Sequence, residues 1–216
     1  MRLLAAPVQS RVLADAYDVV HDGDEVVARE GEPVRSWIGV AEGLVKVVGG
    51  AHNKHSVLYS SVPQGSWIGE GSVIKDELRR YEVVTLGPSR TVHIPRATFR
   101  WLLDTSMEFN HFIIDHLNAR LGQFMAMVEI DRISDPAVRL AQAISGLFNP
   151  VLFPEGGPAL RVSQKELGEL AGITRQRANV AIQELRKDGL IRVQYGAIVV
   201  VDLPGLRAKH EVSGTG

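Results

Sequence analysis

Arg175, Gln176, Arg177 and Asn179 stand within the six residues "TRQRAN". Each side chain matches the hydrogen-bonding pattern of a base edge. An arginine pairs bidentately with guanine, and glutamine and asparagine amides pair with adenine. These residue types also occur on any solvated helix surface. They read base pairs only if a helix carries them into the major groove with its first turn against the bases.

The surrounding residues supply such a helix and a partner to hold it. Ser163 stands three residues before Glu166, the spacing of a capping box, and opens a helix with Leu167, Leu170 and Ala171 on its apolar face. Gly172 ends that helix, Ile173 turns into the corner, and Thr174 can cap the next one. The second helix has Ala178, Ala181, Ile182 and Leu185 on its buried side and stops at Gly189. The two helices must cross closely, and small Ala171 and Gly172 are expected to allow it. "LIRVQYGAIVVVD" then reads as two short strands around Tyr195-Gly196, a wing. Two helices, a tight turn and a hairpin make a winged helix-turn-helix. Ser163, Gln164 and Lys165 suit phosphate contacts, and Thr174, Arg175, Gln176, Arg177 and Asn179 suit the groove.

Upstream, residues from about Tyr17 to Pro95 alternate short apolar runs with glycine-punctuated turns, which predicts antiparallel β structure. Strand–helix alternation is absent, which argues against a doubly wound parallel sheet. "RATFRWLLDTS" has helical spacing, and Met107 to Ser134 then runs as one long helix. Ile114, Leu117, Leu121, Phe124 and Val128 follow a 3-4-3-4 spacing, a heptad seam on which a second copy of the chain can pack. Asp135-Pro136 breaks the run and starts a further helix. The expected fold class is α+β: an antiparallel β-roll over 1–106, a dimerisation helix over 107–134 and a winged helix-turn-helix over 135–216.

Composition removes several alternatives. With 0 cysteines, disulfides, thiolate zinc sites and iron–sulfur clusters are excluded together. A formal net charge of −1 means that nucleic-acid binding must rest on a local patch. The start, "MRLLAAPVQSRVLADAYD", lacks the apolar core of a signal peptide, no run approaches a membrane span, and the cytoplasm is the expected location. His52 and His55 in "HNKH" are two ligands, too few for zinc, so no metal site is expected. His93, with His111 or His116, is a conceivable haem ligand, although isolated histidines ordinarily serve structure or solvent. His21 and His210 suggest nothing further. Nucleophile elbows, P-loops and paired catalytic carboxylates are missing, so no catalytic residue is assigned. A cupin-like enzyme would need a His/Glu metal cluster on strands, and a dimeric scaffold without DNA would not need the arginine-rich turn.

The roll with "PQGSWIGEGS", the long helix and "ELGELAGITRQRANVAIQELRKDGLI" resemble, in that order, the Crp/Fnr family of bacterial transcription regulators. The resemblance covers nearly the whole chain. It implies a cytoplasmic homodimer on double-stranded DNA with two-fold-related half-sites, RNA polymerase as a partner, and an effector signal passed through the long helices. It also implies an effector pocket at Gly69, Glu70, Arg80, Tyr81, Phe124 and Met125. Cyclic-nucleotide members follow the phosphate-binding arginine with a serine or threonine; Tyr81 stands there instead. They read adenine with a Thr-Ser pair on the long helix, where Phe124 and Met125 offer no such hydrogen bonds. These departures argue against cAMP. Phe124 and Met125 fit a flatter, more apolar ligand, or packing that fills an empty pocket, so the effector is unknown and no cofactor is required. In the reading helix Gln176 replaces the family's glutamate and Val180 a later arginine, which implies a different half-site.

Overall fold

The structure is a computed structural model that describes residues 4–50, 57–130, 132–154, 157–160, 162–194 and 197–209. His52, His55, His210 and the Tyr195-Gly196 turn lie outside the described residues. The chain forms two compact units that divide within one helix: the first runs to Arg120 and takes in the segment from Pro150, and the second begins at Leu121. The long helix expected over 107–134 is divided between the two units at Arg120–Leu121.

The first unit opens with a helix that the sequence reading did not anticipate, α1 (Ala6–Asp15), started by a proline in its first turn. The strands follow as β1 (Tyr17–His21), β2 (Val26–Ala28), β3 (Ser36–Glu42), β4 (Leu44–Gly49), β5 (Val57–Pro63) and β6 (Trp67–Ile68). After helix α2 (Glu70–Lys75) come β7 (Glu82–Thr85) and β8 (Ser89–Pro95). They build two four-stranded sheets, ordered β1-β8-β3-β6 and β2-β7-β4-β5, with antiparallel pairing throughout. The two sheets meet over Ile38, Val40, Val45, Val47, Val62, Ile68 and Val83, with Tyr81 packed against this core. The first strand starts at Tyr17 and the last ends at Pro95, the span expected from the glycine-punctuated runs.

Two helices close the roll. α3 (Arg96–Thr105) and the first half of α4 (Met107–Ile130) bring Phe99, Leu102, Phe109 and Ile113 onto Val12, Trp37 and Ile94. Trp37 anchors that second core: its ring stacks on Trp67 at 4.1 Å and meets the edges of Phe99 and Phe109. α4 ends at Ile130, four residues before the Ser134 expected from sequence.

The second unit contains α5 (Pro136–Gly146), β9 (Ala159–Leu160), α6 (Gln164–Leu170), α7 (Arg175–Lys187), β10 (Ile191–Gln194), β11 (Ala197–Val200) and α8 (Leu203–Ala208). Asp135 caps α5 by accepting from the Ala137 and Val138 amides at 2.7 and 3.2 Å, with Pro136 at the first helical position. The wing has three strands, ordered β10-β11-β9. β9 and α8 are further elements that the sequence reading passed over.

Candidate functional site

Four local devices hold α6 and α7. The Ser163 hydroxyl accepts from the Glu166 amide at 3.2 Å while the Glu166 carboxylate accepts from the Ser163 amide at 2.7 Å, so the capping box is complete. The Thr174 hydroxyl accepts from the Arg177 amide at 3.3 Å and starts α7. Both helices end in Schellman motifs with a left-handed glycine: Ile173 and Gly172 bond back to Gly168 and Glu169, and Leu190 and Gly189 bond back to Leu185 and Arg186. Arg139 of α5 donates to the Ala171 carbonyl at 2.9 Å and fixes the corner from below. At the far end of α7, Lys209 reaches Asp188 at 2.8 Å and Glu184 at 3.0 Å.

The close approach of the two helices falls elsewhere than expected. Gly172 gives the turn its positive φ, but the crossing itself is at Gly168, where a Cβ would stand 2.9 Å from the Ile173 carbonyl and 3.4 Å from the Ala178 Cβ. The clue was a glycine inside a strong helix pattern, which costs about 1 kcal/mol relative to alanine and so calls for a packing reason.

α7 buries Ala178, Ala181, Ile182 and Leu185. Gln176, Arg177, Asn179 and Arg175 are all exposed, as are Thr174, Ser163 and Lys165, while Gln164 is half-buried. At about 100° per residue, Gln176, Val180 and Gln183 lie within about 40° of the line facing away from the buried side. Arg175 and Arg177 fall on opposite flanks, about 160° apart on the same count. The first turns of this face therefore present a neutral stripe between two cations, and exposed Lys187 lies on the same line at the far end of α7. On the wing, Arg192 is exposed next to buried Ile191; the sequence reading did not single it out, because a lone arginine in a short strand carries no signal.

The interior of the roll holds a second polar group. Glu70, at the start of α2, is 4% exposed and His116 of α4 is 1% exposed. The Glu70 Oε1 atom lies 3.3 Å from His116 Nδ1 and 3.8 Å from Arg120 Nε. The first separation is an electrostatic contact rather than an aligned hydrogen bond, since His116 Nδ1 and Glu70 Oε2 have no hydrogen-bond partner. Burial alone would raise the Glu70 carboxyl, but the neighbouring His116 and the Arg120 charge outweigh it and hold its pKa below the ordinary value. Arg120 also donates to the Trp67 carbonyl at 3.1 Å.

The arginine expected in this pocket is displaced by one position. Arg80 is on the outside, its side chain 70% exposed and paired with Glu77 at 2.8 Å. Arg79 is the buried one: a Cβ on Gly69 would stand 3.0 Å from its Nη1, its guanidinium lies 5.9 Å from the Tyr81 ring, and Nη1 has no hydrogen-bond partner. Successive residues approaching β7 point to opposite sides, so only one of two adjacent arginines can face inward. Burial, then the Glu70 charge, push the Tyr81 hydroxyl up to about 12. Phe124 and Met125 belong to the second unit. They lie beyond Arg120 on α4, 43% and 60% exposed, and the α4 residues that reach Glu70 are His116 and Arg120.

Of the histidines considered for haem, His93 has both ring nitrogens engaged, Nδ1 with Ser36 and Nε2 with Thr91, each at 2.9 Å, and stacks on Tyr17. His21 reaches the same Thr91 hydroxyl at 2.9 Å. His111 is exposed. Among the described residues, no three His, Cys, Asp or Glu side chains gather as a metal site, and no helix is long and apolar enough to cross a membrane.

The comparisons with known proteins agree with this geometry. Residues 19–106 match the cyclic nucleotide-binding domain model and residues 138–209 match the Crp-like helix-turn-helix domain. The chain is 27% identical over 181 residues to the transcriptional regulator SdrP of Thermus thermophilus, covering 82% of this chain and 85% of that one. It is 26% identical, over 82% of this chain and 80% of the other, to a CRP-like cAMP-activated global transcriptional regulator of Mycobacterium tuberculosis. The solved structure of the c-di-GMP responsive global regulator CLP of Xanthomonas campestris superimposes with a TM-score of 0.64 at 22% identity, covering 91% of this chain and 99% of that one. A roll of this type followed by a winged helix-turn-helix defines a DNA-binding transcription regulator. The chain belongs to the Crp/Fnr family.

Proposed function

We propose that the chain is a homodimeric regulator that reads a specific, two-fold-related DNA site without needing cAMP. The observation that carries the DNA reading is α7 itself: capped at both ends, buried only along Ala178, Ala181, Ile182 and Leu185, and exposing Arg175, Gln176, Arg177 and Asn179 in its first turn. Self-association is supported by the α4 seam, where Ile114, Leu117, Leu121, Phe124 and Val128 are all exposed. Two copies joined there would offer two reading helices to half-sites about one helical turn apart. RNA polymerase is the expected protein partner of such a bound dimer.

Independence from cAMP is supported by the roll. Glu70 already faces His116 and Arg120, and bulky Tyr81 packs beside Arg79. A second reading, an anionic effector, is favoured by one observation: the buried Nη1 of Arg79 lies beside Gly69 without a hydrogen-bond partner. The two relatives with named effectors respond to different nucleotides, cAMP in one and c-di-GMP in the other. Haem remains outside both readings, since His93 is taken up by Ser36 and Thr91.

The test is site selection from random duplexes, then fluorescence anisotropy at fixed salt, with and without cAMP, for the wild-type protein and Arg175→Ala. The expected outcome is tight binding without ligand, unchanged by cAMP and weakened about 10-fold or more in the variant. A large gain with cAMP would overturn the ligand-independent reading. An affinity insensitive to salt would overturn DNA binding through basic residues.

A further inference from the structure

Val180 is 67% exposed and is the one large apolar side chain that α7 turns to solvent. Scattered exposed valines are ordinary on protein surfaces. Val180 differs in its position. It follows Gln176 by one helical turn and precedes Gln183 by one, so it sits in the middle of the stripe facing away from the buried side. The flanks of that stripe are Arg175 and Arg177. A β-branched residue is also a poorer helix former than alanine, leucine or glutamine, so helix propensity does not account for it.

Resting on the DNA reading above, we propose that Val180 is a specificity-determining residue that reads the 5-methyl group of a thymine in each half-site. A helix lying in the major groove turns the outward stripe of α7 to the base edges. There the thymine methyl is the one apolar group a base pair presents, and contact with an aliphatic side chain distinguishes T·A from the other pairs. Valine can make no hydrogen bond to a base, so it selects by that contact and by leaving polar groups unpaired against other bases. Gln176 and Gln183 on either side carry amides suited to adenine. The centre of the stripe is thus matched to A·T-rich sequence, and the flanking arginines to guanine or phosphate.

The experiment uses the full chain and the duplex obtained by selection. Each thymine of the half-site is replaced in turn, symmetrically in both halves, by deoxyuridine, which removes only the methyl. Binding is measured for the wild-type protein, Val180→Ala and Val180→Thr. Val180→Ala raises helix propensity at an exposed site and should keep the fold, checked by circular dichroism. The expected result is one position per half-site where uridine weakens wild-type binding about 3- to 10-fold, an effect retained in part by Val180→Thr and absent in Val180→Ala. Binding with no methyl-sensitive position, or a sensitivity that survives in Val180→Ala, would overturn the assignment while leaving DNA binding intact. Failure to bind any selected duplex would overturn both.

Discussion

Glu70 Oε1 and His116 Nδ1 lie 3.3 Å apart with both side chains sealed from solvent, which ties α2 of the roll directly to α4. Arg120, one turn further on, adds its charge to the same carboxylate. A buried carboxylate whose neighbours cannot turn to water is costly to remove, because the cation is then left buried and uncompensated.

Glu70→Ala is expected to destabilise the first unit by about 3 kcal/mol, read as a lower urea midpoint. The pH dependence follows from the depressed carboxyl. Its stabilisation is fully present above the unfolded value near 4.5 and is lost as pH falls through the lower folded value. Glu70→Gln should therefore flatten the acid limb of the stability profile. An unchanged limb would show that other carboxylates set it.

His93 adds an acid sensitivity of the same sign in a higher pH window. Burial, then the charges of His21 and Arg79, bring its pKa down from 6.5 to about 4. The unfolded chain binds the proton that the folded chain refuses, so stability is full above 6.5 and falls as pH drops toward 4, by at most about 3 kcal/mol. Thermal melts between pH 7 and pH 4 check this. The loss should shrink in His93→Gln, and a His93→Gln profile that follows the wild type would exclude this residue as its source.

Gly168→Ala tests the crossing of α6 and α7. The new methyl would press on the Ile173 carbonyl at 2.9 Å, which is backbone and yields little. A loss of about 2 kcal/mol in the second unit is expected, with weaker DNA binding and no change in the roll. Calorimetry resolves this if the two units melt separately. Wild-type stability in the variant would mean that the corner is looser than its geometry.

Leu121→Glu tests the seam. Leu121 is 59% exposed, so the substitution should leave the subunit folded while placing a charge in any helix–helix interface. Sedimentation velocity should show a dimer becoming a monomer at micromolar concentration, with DNA affinity reduced at least 10-fold. A dimer of unchanged stability would place self-association elsewhere.

Much of this organisation was legible because the residues involved act locally. Ser163, Glu166, Thr174, Gly172 and Gly189 define caps and stops through their own backbones, and the structure places each where its chemistry required. The glycine-punctuated roll was equally legible from Tyr17 to Pro95. What failed were features decided by distant neighbours. Arg79 and Arg80 are identical in type and adjacent, and only the path of the chain into β7 decides which is buried. The pairing of Glu70 with His116 spans the roll and leaves no local pattern. β9 is two residues long, too short for periodicity to register. α8 did carry a signal: Asp202 before Leu203-Pro204, where the aspartate accepts from the Gly205 amide at 2.9 Å.

The short strand β9 has a consequence for how the reading head behaves. Leu160 pairs with Ile198 and Ala159 with Val199, and the Val200 amide donates to the Pro158 carbonyl at 2.8 Å. Everything between these partners along the chain, α6 and α7 included, is enclosed by one ladder. Gln142 of α5 closes the other end by donating to the Arg207 and Lys209 carbonyls at 3.2 and 3.1 Å. These contacts tie β9 to β11 and α5 to the chain after α8, so the parts of the winged unit are expected to open together. Amide protons in α7 and in β11 should exchange with solvent at one common opening free energy. DNA then meets either a complete reading head or none, and the concentration of competent protein is set by a single cooperative equilibrium.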